Sequence, residues 1–282
     1  MNGFKYYVLF IDHFTRFTWI YLLQSKSEVF DKFVHFKILV ENQFSIKIKT
    51  FRFDAGGEYT STIFKSCLSQ NGIIHQISCP YTQQNGLVER KHRHHIKTTI
   101  TLLSQASIST AYWSYVVQPI VNLINLLPTS VINFHSPWQK LYNSQPDFSH
   151  LKVFGCACYP YLKSYTSHKL EPRSKECLFL RYSTLSKGYL CLDIVTKQLY
   201  TSSHVIFNES KFLFPPLLLL YLHPHLQYHP QCLIPCGSPI SFIFTPLISL
   251  LYLVLTPLPL PLPKLISLPF HLSLKVLPIP LN

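Results

Sequence analysis

Two acids stand where carboxylates could do chemistry. Asp54 closes the alternating run Ile46-Lys-Ile-Lys-Thr-Phe-Arg-Phe-Asp54 and is followed at once by Ala55-Gly56-Gly57-Glu58, so it sits where a strand breaks into a loop. Glu89 lies just inside the next strong helical pattern, after the loop Cys79-Pro-Tyr-Thr-Gln-Gln-Asn-Gly86. A strand-end Asp and a helix-borne Glu can share one Mg²⁺, or Mn²⁺ in its place, because a hard ion takes few carboxylates and keeps several waters. Paired ions of that kind drive in-line phosphoryl displacement. Taken alone, the same acids could equally be a turn residue and a first-turn helix acid favoured by the helix dipole.

The helix that carries Glu89 is strongly basic. Arg90, Lys91, Arg93, His94, His95 and Lys97 surround the acid, and Glu89, His92, Arg93 and Ile96 fall at i, i+3, i+4 and i+7. Arg93 and Lys97 would hold a DNA phosphate beside the metal; the alternative is a solvated basic face. Arg90 and Asn85, the latter at the end of the preceding loop, complete the candidate nucleic-acid contacts. His92 and His95 lack acidic or thiol partners at metal-ligand spacing.

These residues, in this order, resemble the catalytic core of copia-type LTR-retrotransposon integrases, part of the Pol polyprotein. The resemblance rests on Lys5-Tyr-Tyr-Val-Leu-Phe-Ile-Asp-His-Phe-Thr-Arg-Phe-Thr-Trp19, on Phe53-Asp-Ala-Gly-Gly-Glu-Tyr59, and on Ile77-Ser-Cys-Pro-Tyr-Thr-Gln-Gln-Asn-Gly-Leu-Val-Glu-Arg-Lys-His-Arg93. It continues through His150-Leu-Lys-Val-Phe-Gly-Cys156 to His204-Val-Ile-Phe-Asn-Glu-Ser-Lys211. It implies an Asp, Asp, Glu active site on a ribonuclease-H-like sheet, DNA ends and target as partners, a homo-oligomer, and a nuclear, intracellular setting. No small-molecule substrate and no membrane partner is implied. The loop departs from the family's Tyr-Thr-Pro-Gln-Gln-Asn-Gly by one residue, reading Tyr81-Thr-Gln-Gln-Asn-Gly86.

Mapped on that family, the first catalytic Asp belongs to a strand upstream of Tyr6, between the strand of Val8 to Phe10 and that of Phe51 to Phe53. The chain is therefore expected to carry an incomplete sheet and to be a catalytically impaired, integrase-derived fragment. The alternatives are a non-catalytic nucleic-acid-binding remnant or a translated pseudogene with no selected role. Asp12 maps to the end of the second strand, where its expected work is turn chemistry.

The elements that must position the acids read as α/β. Tyr6 to Asp12 and Arg16 to Leu23 form a hairpin pattern; Ser25 and Glu28 form a capping box ahead of a helix to about Phe44. A short helix over Thr60 to Gln70, ended by Gly72, leads to a strand over Ile73 to Ile77. A helix over Thr110 to Leu127 is kinked by Pro119, and a further one starts with Pro137 at its first position. Short alternating runs from Leu151 to Phe207 suggest a small all-β unit that resembles the family's SH3-like barrel, with Arg181 in a place where the family has Gly and a turn would be strained. The expected division is 1–127 for the core lacking its first strand, 128–150 for a helical linker, 151–212 for the SH3-like domain and 213–282 for a tail.

Composition supports the division. The chain has 282 residues with 25 Lys and Arg against 12 Asp and Glu, and every acid lies at or before Glu209. Fourteen of the 21 prolines lie from Pro215 onward, where only Lys264 and Lys275 are charged. A basic front part suits a polyanion whose phosphate contacts weaken steeply with salt. The Leu/Pro-rich tail reads as disordered: its most apolar stretch, Ile240 to Leu255, is interrupted by Pro246 and falls short of the roughly 18 to 20 residues of a membrane span. The eight cysteines have neither zinc nor disulfide-framework spacing and read as reduced, mostly buried thiols. Met1 leads directly into a strand pattern, so no secretory leader is expected.

Overall fold

A computed structural model describes residues 3–53, 61–77, 86–166, 168–183, 186–213 and 270–278. In chain order the elements are β1 (Tyr6–Asp12), β2 (Thr18–Leu23), α1 (Val29–Phe44), β3 (Ile48–Phe53), α2 (Thr62–Gln70), β4 (Ile74–Ile77), α3 (Gly86–Gln105), α4 (Trp113–Leu126) and α5 (Pro137–Tyr142). They are followed by β5 (Cys156–Pro160), β6 (Cys177–Tyr182), β7 (Tyr189–Leu192), β8 (Leu199–Ser202), β9 (Val205–Phe212) and β10 (Phe270–Pro278). Two compact units result: one from 1–97, 120–148 and 259–282, the other from 98–119 and 149–258.

The first unit is built on a five-stranded mixed sheet in the order β2-β1-β10-β3-β4. β1 is antiparallel to β2 and to β10, while β3 runs parallel to β10 and to β4. Tyr7, Val8, Leu9, Phe10 and Ile11 are all fully buried, so β1 is covered on both faces rather than on alternate residues. α1 starts from the capping box read in the sequence, with Ser25 and Glu28 bonded reciprocally at a short 3₁₀ turn. Its Phe33, Phe36 and Val40, one helical face, pack on the sheet. Phe10 stacks on Phe36 with centroids 4.2 Å apart, and Phe33 meets Phe51 at 4.7 Å and Phe64 of α2 at 4.9 Å. Such ring pairs add about 0.5–1.5 kcal/mol beyond the area they bury.

The edge strand β2 is tied down by a side chain far away in sequence. The buried Asn125 of α4 accepts from the Thr18 N–H at 3.0 Å and donates to the Thr18 carbonyl at 2.8 Å, in the manner of a strand residue. It satisfies two backbone groups that β1 does not reach, and it blunts an exposed edge. α5 repeats the capping-box device, with Ser136 and Gln139 bonded to each other's backbone and Pro137 at the first turn.

The second unit contains a five-stranded, wholly antiparallel sheet in the order β8-β7-β6-β5-β9. Cys156, Cys158, Cys177 and Cys191 are free thiols at its core beside Phe179 and Tyr200. Burial raises the ionisation of Cys156 and Cys177 to about 12, so these thiols act as small apolar side chains. Gly155 enters β5 at φ +76 with its backbone pressed against Ala106, leaving no room for a Cβ. Asp193 organises the β7–β8 turn, where its carboxylate accepts from Lys175 Nζ and Thr196 Oγ1 and from the Val195 and Thr196 N–H groups.

Three expectations are corrected. The sheet of the first unit is not short of a strand between β1 and β3, and the tail is not unstructured throughout, because Phe270–Pro278 occupies that place as β10. The reason is backbone pairing: two inner strands buried in apolar surroundings need a partner for their facing N–H and C=O groups. Arg181 is not in a strained turn either. It lies in β6 beside a register shift, outside the positive-φ positions, and its guanidinium donates to Gln118 Oε1 at 2.8 Å. The Ile240 to Leu255 stretch lies outside the described residues; among those described, no helix is long and apolar enough to cross a membrane.

Replacing Asn125 with Ala leaves two backbone groups of Thr18 without their buried partner. Urea unfolding of that chain is expected to show a stability loss of about 2–3 kcal/mol with the slope unchanged. A second measurement concerns acid. Burial alone would raise the Asp193 carboxyl, but the hydrogen bonds from Lys175, Thr196 and the turn backbone outweigh it and hold the group well below the usual carboxylate range. The unfolded chain therefore binds this proton first as pH falls, so the stability Asp193 contributes is fully present above pH ~4 and declines progressively as the pH falls from there through the group's low folded value. Asp193→Asn is expected to lower the melting temperature at pH 7, by the equivalent of about 1–3 kcal/mol, and to lower it by progressively less as the pH falls below ~4.

Candidate nucleic-acid interface

α3 owes its direction and its charge to a clear division of faces. Val88, His95, Thr99, Leu102 and Leu103 are buried. Arg90, Arg93, His94 and Lys97 are exposed, and at i, i+3, i+4 and i+7 they form one stripe on the outer face. Glu89 is half-buried in the first turn, on the flank between the buried face and Arg93, where the helix dipole favours an acid. Arg90 Nε donates to the Gly86 carbonyl at 3.0 Å, which holds its side chain along the first turn.

The β1–β2 turn adds a second set of charges. Asp12 is buried, and its Oδ2 accepts from both the N–H and Oγ1 of Thr15 at 2.7 Å, which is the turn chemistry the sequence suggested. This closes a tight reversal in which Arg16 takes a left-handed backbone, φ +63, and donates its N–H to the Asp12 carbonyl at 2.9 Å. Burial lowers the Arg16 ionisation, Asp12 opposes that shift, and Arg90 adds to it. Arg16 and the start of α3 are therefore electrostatic neighbours.

Lys91 lies on the opposite flank of α3 from Glu89, and burial together with the nearby Arg16 pushes its ammonium down to about 8. His95 is fully buried, and burial plus Lys91, His94 and His92 hold it well below the ordinary histidine range, so it is neutral. His92 is fastened to the sheet: its Nδ1 is hydrogen-bonded to the Tyr7 hydroxyl, and the two rings stack at 5.8 Å. Burial pushes the Tyr7 hydroxyl far up, so it stays protonated.

Chemically, this is a place that gathers cations. Arg16, Arg90, Lys91, Arg93 and Lys97 face one acid on the helix, and an exposed basic stripe beside a basic turn suits a phosphate chain. Of the residues singled out in the sequence, Glu89, Arg90, Arg93 and Lys97 are brought onto the outer half and flank of one helix. Asp54 and Asn85, and the shortened loop from Pro80 to Asn85, lie outside the described residues. Among the described residues, no group of three or more His, Cys, Asp and Glu side chains could hold a metal ion. Arg16 was not legible as part of this surface. Its only sequence signal is its place one residue beyond the Asp12-to-Thr15 turn, and proximity to α3 is set by the hairpin's packing.

Residues 156–216 match the family described as the retroviral polymerase SH3-like domain, which spans β5 to β9. The antiparallel five-stranded sheet of the second unit fits that match. The chain is 51% identical over 215 residues to the retrovirus-related Pol polyprotein from transposon RE2 of Arabidopsis thaliana, a match covering 76% of this chain and 15% of that protein. It is 49% identical over 214 residues to the corresponding polyprotein of transposon RE1 from the same plant, covering 76% and 14%. The polyprotein of transposon TNT 1-94 from Nicotiana tabacum is 37% identical over 212 residues, covering 75% and 16%. The chain thus spans about 15% of the length of the curated relatives it matches. A chain in the intasome of simian T-cell lymphotropic virus, solved with the PP2A regulatory subunit B56 gamma, aligns over 70% of this chain and 69% of its own length at 17% identity, with a TM-score of 0.39, a likeness too loose to support a conclusion. Identity near one half, sustained across three quarters of the chain in two transposon polyproteins and joined to an SH3-like match in the second unit, assigns this chain to the retrovirus-related Pol polyprotein family of copia-type transposons.

Proposed function

We propose that the chain is the integrase-derived part of such a polyprotein: a ribonuclease-H-like core and an SH3-like domain that bind DNA and are built for metal-dependent strand transfer, with catalysis impaired. The observation that carries this reading is the exposed stripe of Arg90, Arg93 and Lys97 beside Glu89, with Arg16 close to the start of the same helix. Family membership supports it, as does a mixed sheet whose parallel pair β3-β4 follows an antiparallel hairpin. The DNA partners are element ends and target, the setting is nuclear, and the assembly is a homo-oligomer.

In this reading Asp54 and Glu89 hold Mg²⁺ or Mn²⁺. Both are hard oxygen donors with no soft ligand near them in sequence, which is the chemistry such ions prefer, and Glu89 has a fixed position on the first turn of α3. When bound, the ion stabilises the charge that develops at phosphorus and activates water or a DNA 3′-hydroxyl. The chain's own residues do the positioning: Arg93 and Lys97 hold the phosphate backbone along α3, Arg90 extends the grip, and Asn85 approaches from the loop. The alternative reading, a non-catalytic nucleic-acid-binding remnant or a translated pseudogene, gains support from β10. The strand that stands between β1 and β3 reads Phe270-His-Leu-Ser-Leu-Lys-Val-Leu-Pro278 and contains no carboxylate. A shared third acid is missing from that strand, and each 1.36 kcal/mol of lost charge stabilisation is tenfold in rate.

DNA affinity is expected to fall linearly with salt on a double-logarithmic plot. The Arg93→Ala, Lys97→Ala chain should bind more weakly and lose about 1.8 from the magnitude of that slope, at ~0.9 per phosphate contact. Fluorescence anisotropy with a labelled duplex across a salt series measures both, and an unchanged slope overturns the assignment of the stripe. Strand-transfer assays with Mg²⁺ are expected to give little or no product. Any product that does form should disappear in Glu89→Gln while DNA binding persists; product that survives the substitution removes Glu89 from the site.

A further inference from the structure

β1 takes only one of its two neighbours, β2, from nearby in the chain. Its residues Tyr7 to Ile11 are fully buried on both faces, and β2 satisfies the backbone groups on one side only. On the other side the next strand in sequence, β3, is not its neighbour; Phe51 and Phe53 of β3 are themselves fully buried, and β4 pairs with β3 on the far side. Between the two lies a place one strand wide, filled by β10, whose backbone meets the facing N–H and C=O groups of β1 and β3. Each such group left unmade costs about 1–3 kcal/mol. The slot therefore has a defined chemistry: it takes an extended, largely apolar segment that can pair on both edges.

β10 meets that description. It pairs with β1 antiparallel over seven positions, from Tyr6↔Pro278 to Asp12↔Leu272, and with β3 in parallel from Phe270↔Ile48 to Leu274↔Phe53. Its sequence alternates Phe270, Leu272, Leu274 and Val276 with His271, Ser273 and Lys275, and Ser273, level with Ile11, is only 3% exposed. We infer that the slot between β1 and β3 is a strand-acceptor groove, a binding site for an extended apolar peptide, and that its occupant is the chain's own Phe270–Pro278 segment. Recognition is by strand addition: main-chain hydrogen bonds on two sides supply affinity, and a small side chain at the buried Ser273 position supplies register. The segment arrives from more than two hundred residues beyond β3, so its docking carries a large loop-closure entropy and comes after the local pairings have formed. An occupant added that late is separable from the rest of the fold, and the same peptide offered by another molecule competes for the groove. The inference concerns the sheet alone and stands whether or not the chain binds DNA.

Hydrogen exchange of the unaltered full chain is the first test. Amides of Phe270–Pro278 are expected to exchange about a hundredfold or more slower than open-chain rates and in step with those of Tyr6–Asp12 and Ile48–Phe53. Open-chain rates at 270–278 overturn the inference. A strand paired on both edges sends successive N–H groups to alternate neighbours, so proline at any inner position removes a ladder bond. In the full chain carrying Leu274→Pro, exchange in β1 and β3 is expected to speed up, and a labelled synthetic peptide of the Phe270–Pro278 sequence is expected to bind and restore protection. The unaltered chain should exclude that peptide, and the same peptide with proline at the Leu274 position should bind neither chain. Unchanged protection in the Leu274→Pro chain, or loss of protection that the peptide does not restore, overturns the acceptor assignment.

Discussion

Backbone hydrogen bonding across the inner strands is the constraint from which the first unit takes its form. β1 is buried on both faces, so its peptide groups have no recourse to solvent and must be paired on both edges. One edge is met by β2, joined through a turn that Asp12 and Thr15 close. The other is met only by a segment from the far end of the chain. Helix packing follows from the same strand: Phe10 stacks on Phe36, and the aromatic cluster of Phe33, Phe51 and Phe64 grows outward from that contact. A sheet with its inner edges open would have the same side chains but no consistent way to bury them.

The candidate interface depends on that core in a specific way. α3 is anchored by Val88, His95 and Thr99 and by the hydrogen bond between the Tyr7 hydroxyl on β1 and His92. These inner contacts decide which residues are left outside, and the outcome is a stripe with Arg90, Arg93 and Lys97. The cost of the arrangement is visible in the ionisation of its partly buried members: Arg16 is shifted toward its neutral form by burial and by Arg90, and Lys91 by burial and by Arg16. An anion placed beside them relieves that repulsion, which is why a cation cluster around a helix start is more plausible as a binding surface than as a device for stability.

The second unit solves a smaller problem with different means. Its antiparallel sheet closes over a core in which four thiols stand in for aliphatic side chains, and its tight places are met by particular residues. Gly155 permits the close approach to Ala106, and Asp193 gathers the β7–β8 turn. Arg181 shows how a residue that departs from its family's pattern can be absorbed. With a bulge beside it, a hydrogen bond to Gln118 and the Tyr115 ring below its guanidinium, it needs no special backbone angle.

Local order was legible in the amino-acid sequence because it is written in short-range chemistry. The capping box of Ser25 and Glu28, Pro137 at the start of its helix, the left-handed Gly72, the Asp12 turn, the period-2 runs of the β unit and the basic helix behind Glu89 all follow from neighbours within a few positions. The candidate acids were found the same way, and Glu89 and its cations do lie on one helix. What tertiary structure alone decided are the joins between distant segments: Asn125 closing the edge at Thr18, Arg16 reaching the electrostatic field of α3, and Phe270–Pro278 entering the sheet. The last alternates as a strand should, yet a Leu/Pro-rich context hid it, and nothing local says which strand it will join. Pairing across such separations is settled by unsatisfied backbone groups in a buried slot, a property that exists only once the rest of the sheet has formed.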